Sequence, residues 1–319
     1  MLHLSRPIAV YYEHPRWFEP VFAELDRRAI PYVRLDAGRH HFDLSPNGDR
    51  EYSLVFNRMS PSAWTRGKSH SIFYTLNYLA HLEQIGMRVV NGSEAFRVET
   101  SKALQLSLLQ SLGLPYPRSR VINHGLEAPG AARGLRFPIV VKPNVGGSGA
   151  GIVRFDSLEQ LEAAAEKGAI SLGLDSTGIV QEYILARGDH IVRVETLGYK
   201  YLYGIRVFTS GETFDLCPAD ICRMSDGAKL ETACVIEGAK SGLRVESYQP
   251  PPEIIANIER IFAAAKIEVG GAEYIVDDRD GQLYFYDVNA LSNFVPDGPR
   301  VVGFNPFERL VDYLVQEAR

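Results

Sequence analysis

Cysteine is scarce: Cys217, Cys222 and Cys234 are the only three in 319 residues. An odd count at a spacing that no His pair completes argues against a disulfide framework and against structural zinc, and leaves ordinary reduced thiols. Long apolar runs are missing too. The first run, residues 7–12, meets Glu13, His14 and Pro15 at once, so it reads as neither signal peptide nor membrane span. With no address in the sequence, the expectation is a cytoplasmic protein with no membrane partner. An excess of one charge is also absent. Lys and Arg number 34 against 39 Asp and Glu, and the net charge of -5 speaks against nucleic acid as a partner. No G-x-G-x-x-G follows the first strand signal, which removes a dinucleotide site. The histidines, His40, His41 and His70 among them, show no metal spacing and read as structural or surface residues. No Ser-His-Asp or Cys-His arrangement offers a side-chain nucleophile, and no internal repeat is visible.

What remains is a chain of ordinary globular composition, long enough for two domains. In its first third, strand and helix signals alternate. Residues 7–12, 31–35, 53–56 and 88–90 read as strands. Residues 16–28 carry Trp17, Val21, Phe22 and Leu25 at helical spacing, and residues 71–85 carry Ile72, Leu76, Leu79 and Leu82. That alternation implies a parallel sheet with helices on its faces. A helix capped by Ser93 follows, with Ala103, Leu104, Leu108 and Leu112 as its apolar positions and Gly113 as its stop. From residue 137 onward short strands and turns dominate, which predicts antiparallel α+β structure. Hairpins are expected over 190–208, turning at Gly198-Tyr199, and over 271–289.

Two segments carry chemistry. Residues 142–151 read KPNVGGSGAG. Glycines here let backbone N–H groups approach a phosphate, because no Cβ stands in the way. The loop runs from a strand into a strand, so it is a flap over phosphates, not the helix-terminal cradle of a P-loop. A flexible turn beside a solvated lysine is the plainer alternative. Residues 271–289 read GAEYIVDDRDGQLYFYDVN. A three-residue loop of Arg279, Asp280 and Gly281 places Glu273 opposite Asp287, with Asn289 on the same face. Facing carboxylates destabilise a sheet unless a cation lies between them, and Mg²⁺ suits hard oxygen ligands. A two-residue turn would instead put Glu273 on the other face and leave solvated acids.

In order and spacing these pieces resemble the ATP-grasp superfamily, particularly ligases of the ribosomal-protein glutamate ligase (RimK-type) and glutathione synthetase kind. The residues that carry the resemblance are Thr100-Ser101-Lys102, Val140-Val141-Lys142-Pro143 with the glycine loop, Val180-Gln181-Glu182-Tyr183-Ile184, Asp189 with Arg193, Arg206, and Glu273 with Asp287-Val288-Asn289. The resemblance implies a Rossmann-like N-terminal α/β domain over 1–92 and an ATP-grasp domain over 93–319, divided at 185/186 into a central and a C-terminal subdomain. It implies that Lys102 and Lys142 contact ATP phosphates and that Gly146, Gly147, Ser148, Gly149 and Gly151 close over them. Glu182 and Ile184 would offer backbone groups to adenine with Tyr183 alongside, and Asp189 would bind ribose. Glu273, Asp287 and Asn289 would hold Mg²⁺, with Mn²⁺ as an alternative ion. Arg193 and Arg206 would face the γ-phosphate and the acyl-phosphate.

The arginine pair also follows from register. A turn at Gly198-Tyr199 pairs Leu197 with Lys200 and Ile191 with Arg206, which sets Arg193 and Arg206 on one face. A salt-bridge ladder with Glu195 is the alternative.

The expected activity is that of an ATP-dependent carboxylate–amine ligase, acting through an acyl-phosphate on small-molecule or peptide substrates. Homo-oligomerisation is left open. A kinase acting on a hydroxyl and a non-catalytic nucleotide-binding protein are the rivals. Two departures from the family pattern stand out. Many relatives follow the metal asparagine with a small residue and then Pro-Gly, in a stretch that borders the acceptor substrate. Here Asn289 is followed by Ala290-Leu291-Ser292-Asn293-Phe294. Asp189 also stands four residues before Arg193, where relatives have two.

Overall fold

The computed structural model describes residues 4–14, 16–45, 50–147, 149–208, 244–295 and 297–319. Cys217, Cys222, Cys234 and Ser148 lie outside the described residues.

The first third forms a parallel sheet of β1 (Ile8–Tyr12), β2 (Tyr32–Asp36), β3 (Leu54–Arg58) and β4 (Val89–Val90), in the order β2-β1-β3-β4. β1 is apolar along its whole length and β3 over its first three residues, Leu54 to Phe56, because both faces of each are covered. Ile8, Val10, Leu54 and Phe56 face one layer with Phe22 and Leu25, while Ala9, Tyr11 and Val55 face another with Ile72, Leu79 and Leu82. The first of these layers does not stop at the sheet. It runs on through Ile191, Ile205, Val207, Leu310 and Leu314.

A second sheet has the order β5-β8-β6-β7, from β5 (Ser119–Ile122), β6 (Ile139–Pro143), β7 (Val153–Phe155) and β8 (Gly178–Glu182). Its pairings are all antiparallel, so the glycine loop does join two antiparallel strands. The third sheet has the order β11-β10-β9-β12-β13, from β9 (His190–Leu197), β10 (Lys200–Phe208), β11 (Val245–Ser247), β12 (Val269–Val276) and β13 (Leu283–Asn289). Among the described residues no helix is long and apolar enough to cross a membrane.

The helix expected from Ser93 to Leu112 is two helices, Ser93–Glu99 and Lys102–Ser111. Ser93 does not cap the first; Gly92 holds that position. The break comes at Ser101, which is extended and whose hydroxyl accepts from the Leu104 N–H. A serine that can satisfy a free helix N–H starts a new helix as readily as it interrupts an old one. The restart sets Lys102 at the first position of the second helix. Gly113 stops it with φ of 67°, as expected.

Both hairpins contain a bulge that the sequence did not announce. In β9–β10 the register slips between Tyr201 and Tyr203. Leu197 still pairs with Lys200, but Arg206 now faces Val192 and Arg193 faces Ile205. Arg193 and Arg206 therefore lie on opposite faces of the sheet. In β12–β13 the loop is one residue longer than expected: the Asp277 N–H donates to the Gln282 carbonyl and Val276 pairs with Leu283. A slip between Glu273 and Tyr274 cancels that shift, so Glu273 faces Asp287 after all, and Gly271 faces Asn289.

Candidate active site

One cavity of about 260 Å³ opens between the second and third sheets and the edge of the first. It lies near the lower end of the roughly 300–1,000 Å³ usual for small-molecule sites. Lys102, Lys142, Gly146, Gly147, Gly149, Glu182, Tyr183, Ile184, Arg193, Glu273, Asp287 and Asn289 all line it. The flap in the middle of the chain and the acidic hairpin near its end thus converge on one space.

Asn144 brings the two lysines together. Its side-chain carbonyl accepts from the Ala103 N–H at 2.8 Å and from the Ser101 hydroxyl at 3.1 Å, docking the helix start onto the strand that carries Lys142. Lys102 pairs with Asp287. Lys142 is buried and, among the described residues, donates only to the neutral Gln181, at 2.9 Å. Burial, with Lys102 nearby, pushes its pKa down to about 8.

On the acidic face, Arg193 donates to Glu273 at 2.9 Å, to Glu195 at 2.7 Å and to Ser292 at 2.8 Å. Gly271 makes room for this: a Cβ there would sit 2.8 Å from the Glu195 carboxylate. The Tyr286 hydroxyl donates to Glu273 at 2.7 Å, and the Asn289 amide donates to Asp287 at 3.0 Å. The two carboxylates are pushed apart. Burial and the neighbouring Asp287 raise the Glu273 pKa against the pull of Arg193. For Asp287 burial also works upward, but the Lys102 ammonium outweighs it and holds the carboxyl below its ordinary range. Among the described residues no three His, Cys, Asp or Glu side chains gather as a metal site. The expected set is two carboxylates and an amide, all hard oxygen donors on one face, with a cation already against each acid. That donor chemistry fits Mg²⁺.

Three expected residues stand elsewhere. Arg206 is on the far face, its guanidinium over the Tyr248 ring at 4.1 Å. Asp189 is exposed, in a left-handed turn, and does not line the cavity. Gly151, with φ of 77°, shapes the flap against Pro143 from outside the lining. Other residues were missed. Gln181, named above only as part of a matching strand, anchors Lys142. Tyr286 was given no role, yet its hydroxyl holds Glu273. Glu99, buried at the cavity wall, accepts from the Ala290 N–H, and burial raises its pKa to about 7. The local sequence around Glu99 gives no hint of this, because its partner lies 191 residues away.

The fold is shared with solved structures. ATP-grasp ligase PsnB, in complex with a phosphomimetic variant of a minimal precursor, Mg and ADP, superposes with a TM-score of 0.69 over 99% of this chain and 100% of that one, at 19% identity. The D-cycloserine synthetase DcsG gives 0.68 over 98% and 100%, at 16% identity. A RimK domain ATP-grasp protein from Sphaerobacter thermophilus gives 0.64 over 98% of each chain, at 17% identity. The chain shares the fold of these ATP-grasp structures. In sequence the chain is 29% identical to the D-alanine–D-alanine ligase of Ectopseudomonas mendocina over 226 residues, 69% of this chain and 66% of that ligase. It is also 29% identical to the Haemophilus influenzae D-alanine–D-alanine ligase over 185 residues, 54% and 59% of the two chains. The match thus spans somewhat under two thirds of these relatives' length. No family model matches.

Proposed function

We propose that the chain is an ATP-dependent carboxylate–amine ligase that forms an amide through an acyl-phosphate and releases ADP and phosphate. The observation that carries this reading is the convergence of Lys102, Lys142 and the glycine flap with Glu273, Asp287 and Asn289 on one cavity. The ligases among its relatives and structural neighbours support the same reaction class. In this reading residues 1–92 are a Rossmann-like scaffold, 93–185 carry the flap and 186–319 carry the metal face.

Glu273, Asp287 and Asn289 would hold Mg²⁺, or Mn²⁺ in its place, and the ion would neutralise charge on the ATP phosphates. Lys142, whose partner among the described residues is the neutral Gln181, adds a cation beside the same phosphates. Glu182, Tyr183 and Ile184 border the adenine end. A substrate carboxylate attacks the γ-phosphoryl group, ADP leaves, and an amine displaces phosphate from the acyl-phosphate. The enzyme's part is positioning and a fixed positive field, with Arg193 held by three partners where charge develops. The flap keeps water from the activated acyl group. Incubation with Mg-ATP and a panel of amino acids and short peptides tests the reading: ADP with an amide product supports it, AMP rejects it, and a stable phosphorylated hydroxyl product makes it a kinase.

A further inference from the structure

Beside the adenine end of the cavity, a cluster of charged side chains ties the second sheet to the third, and the proposed chemistry leaves it unused. Residues 183–189 carry the chain from β8 to β9, and Tyr183, Ile184 and Ala186 line the cavity. The turn of β12–β13 packs on this crossing. Its Asp278 N–H donates to the Leu185 carbonyl at 2.8 Å, and Asp277 forms an isolated antiparallel bridge with Ala186. The Arg279 guanidinium donates to the Tyr183 carbonyl at 2.9 Å. From the same turn, β13 runs on to Asp287 and Asn289. One hairpin thus meets the adenine strand at its turn and carries the acids of the cavity further along.

Arg136 adds a link from the other side. It stands shortly before β6, and its N–H donates to the Glu182 carboxylate at 2.9 Å, which fixes it to the end of β8. Its guanidinium crosses to the hairpin turn and donates to Asp277 at 2.7 Å and to Asp280 at 3.3 Å. Asp277 is fully buried, so its charge has to be met inside the protein. Arg279, two residues along the same turn, meets it at 2.9 Å, and Arg136 meets it from the second sheet. The doubling separates folding from tying. Without Arg136, Asp277 keeps Arg279, and Glu182 keeps Arg118 at 3.5 Å, so no buried charge is stranded. What goes is the ionic link between the sheets. Arg136 is also the member that can let go, because its side chain is 39% exposed and water can take up its charge.

We propose that Arg136 is a positioning residue that latches the adenine strand to the hairpin carrying Glu273 and Asp287, and that nucleotide leaves when this latch opens. The proposal rests on the ligase reading, in which adenine lies along residues 182–184 and the phosphates lie over the acids of the hairpin. A nucleotide held at both ends spans the space between the two sheets. For it to leave, the sheets have to part, and the ion pairs of Arg136 resist that. Arg136 itself does not line the cavity, so it acts on release and not on the chemical step.

The test is a stopped-flow chase: protein loaded with Mg²⁺ and N-methylanthraniloyl-ADP is mixed with excess ADP. R136M should release the probe about tenfold faster than the wild type, the ratio that one charge-assisted hydrogen bond sustains, with an association rate within about twofold. R136K, which cannot fork between two carboxylates, should fall between the two. R118M is the control. It removes the other arginine against Glu182, which among the described residues has no ion pair to the hairpin, and it should release at the wild-type rate. A purely structural role would lower the urea midpoint of R136M and leave its release rate where it was. Wild-type release from R136M, or equal acceleration in R118M, overturns the latch while the ligase reading stands. D280N removes the exposed end of the same tie and decides the matter if R136M does not fold: release about twofold faster supports the latch, and wild-type release overturns it. Failure of the wild type to bind the probe at all overturns the ligase reading instead.

Discussion

If Lys142 holds ATP phosphates as proposed, it should make nucleotide affinity depend on pH in a window that few side chains could produce. In the free protein its pKa is about 8, because burial and Lys102 work against its charge and its side-chain partner among the described residues, Gln181, is neutral. Phosphates beside it restore the charged form, so its pKa on binding returns to at least the ordinary lysine value of about 10.4. The sign follows. A pKa that rises on binding means that the complex takes up a proton, and affinity is highest at low pH. The charged fraction of free Lys142 falls from about 0.9 at pH 7 to about 0.09 at pH 9 for a pKa of about 8. Affinity for Mg·AMP-PNP should therefore drop about tenfold across that interval, or about 1.4 kcal/mol. Calorimetry in buffers of different ionisation enthalpy reads both quantities, and uptake should approach half a proton at pH 8. K142M should bind more weakly at pH 7 with a flat profile from 7 to 9. An unchanged affinity over that range in the wild type, or no proton uptake, refutes the reasoning.

Four further outcomes follow from the geometry. R193M should lose about 10²–10³-fold in turnover, the usual loss for a donor to developing charge, whereas R206A on the far face should stay within about threefold; equal losses would restore the pairing that the bulge breaks. D287A should abolish ADP formation while its circular dichroism spectrum stays that of the wild type, and unchanged turnover would end the metal assignment. G147V should raise the KM for ATP, because a Cβ at Gly147 would come within 2.8 Å of the Ser62 Cβ and overpacking of that kind costs about 1–3 kcal/mol; an unaltered KM would mean the flap does not seat there. N91A should destabilise the fold by about 4 kcal/mol, from four hydrogen bonds at about 1 kcal/mol each plus a left-handed backbone that asparagine tolerates better, and a loss under about 1 kcal/mol in urea would contradict this.

How much of this could be read in the sequence depended on how local each signal was. The parallel strands near the N-terminus announced themselves because a strand covered on both faces reads as a continuous apolar run, as β1 and the first three residues of β3 do. The glycine loop was legible as a strand-to-strand connection because glycines between two strand signals leave few other structures. Counting along strands was less secure. The count put Glu273 opposite Asp287 only because a bulge undid a loop one residue too long, while in β9–β10 a single bulge carried Arg206 to the wrong face. A bulge depends on what a strand packs against and leaves no composition signal here. Ser101 showed the same limit for helices, since its cap reads equally as an interior serine. Arg58, Glu99 and Asn91 were invisible because each is defined by partners more than 170 residues away.

The central claim is that flap, lysines and acidic hairpin act on one Mg-bound triphosphate, and the nucleotide product tests it most directly. With Mg-ATP and an accepted pair of substrates, the wild type should release one ADP and one phosphate per amide formed, and none when EDTA removes the metal. Release of AMP and pyrophosphate, or turnover indifferent to the metal, would contradict it.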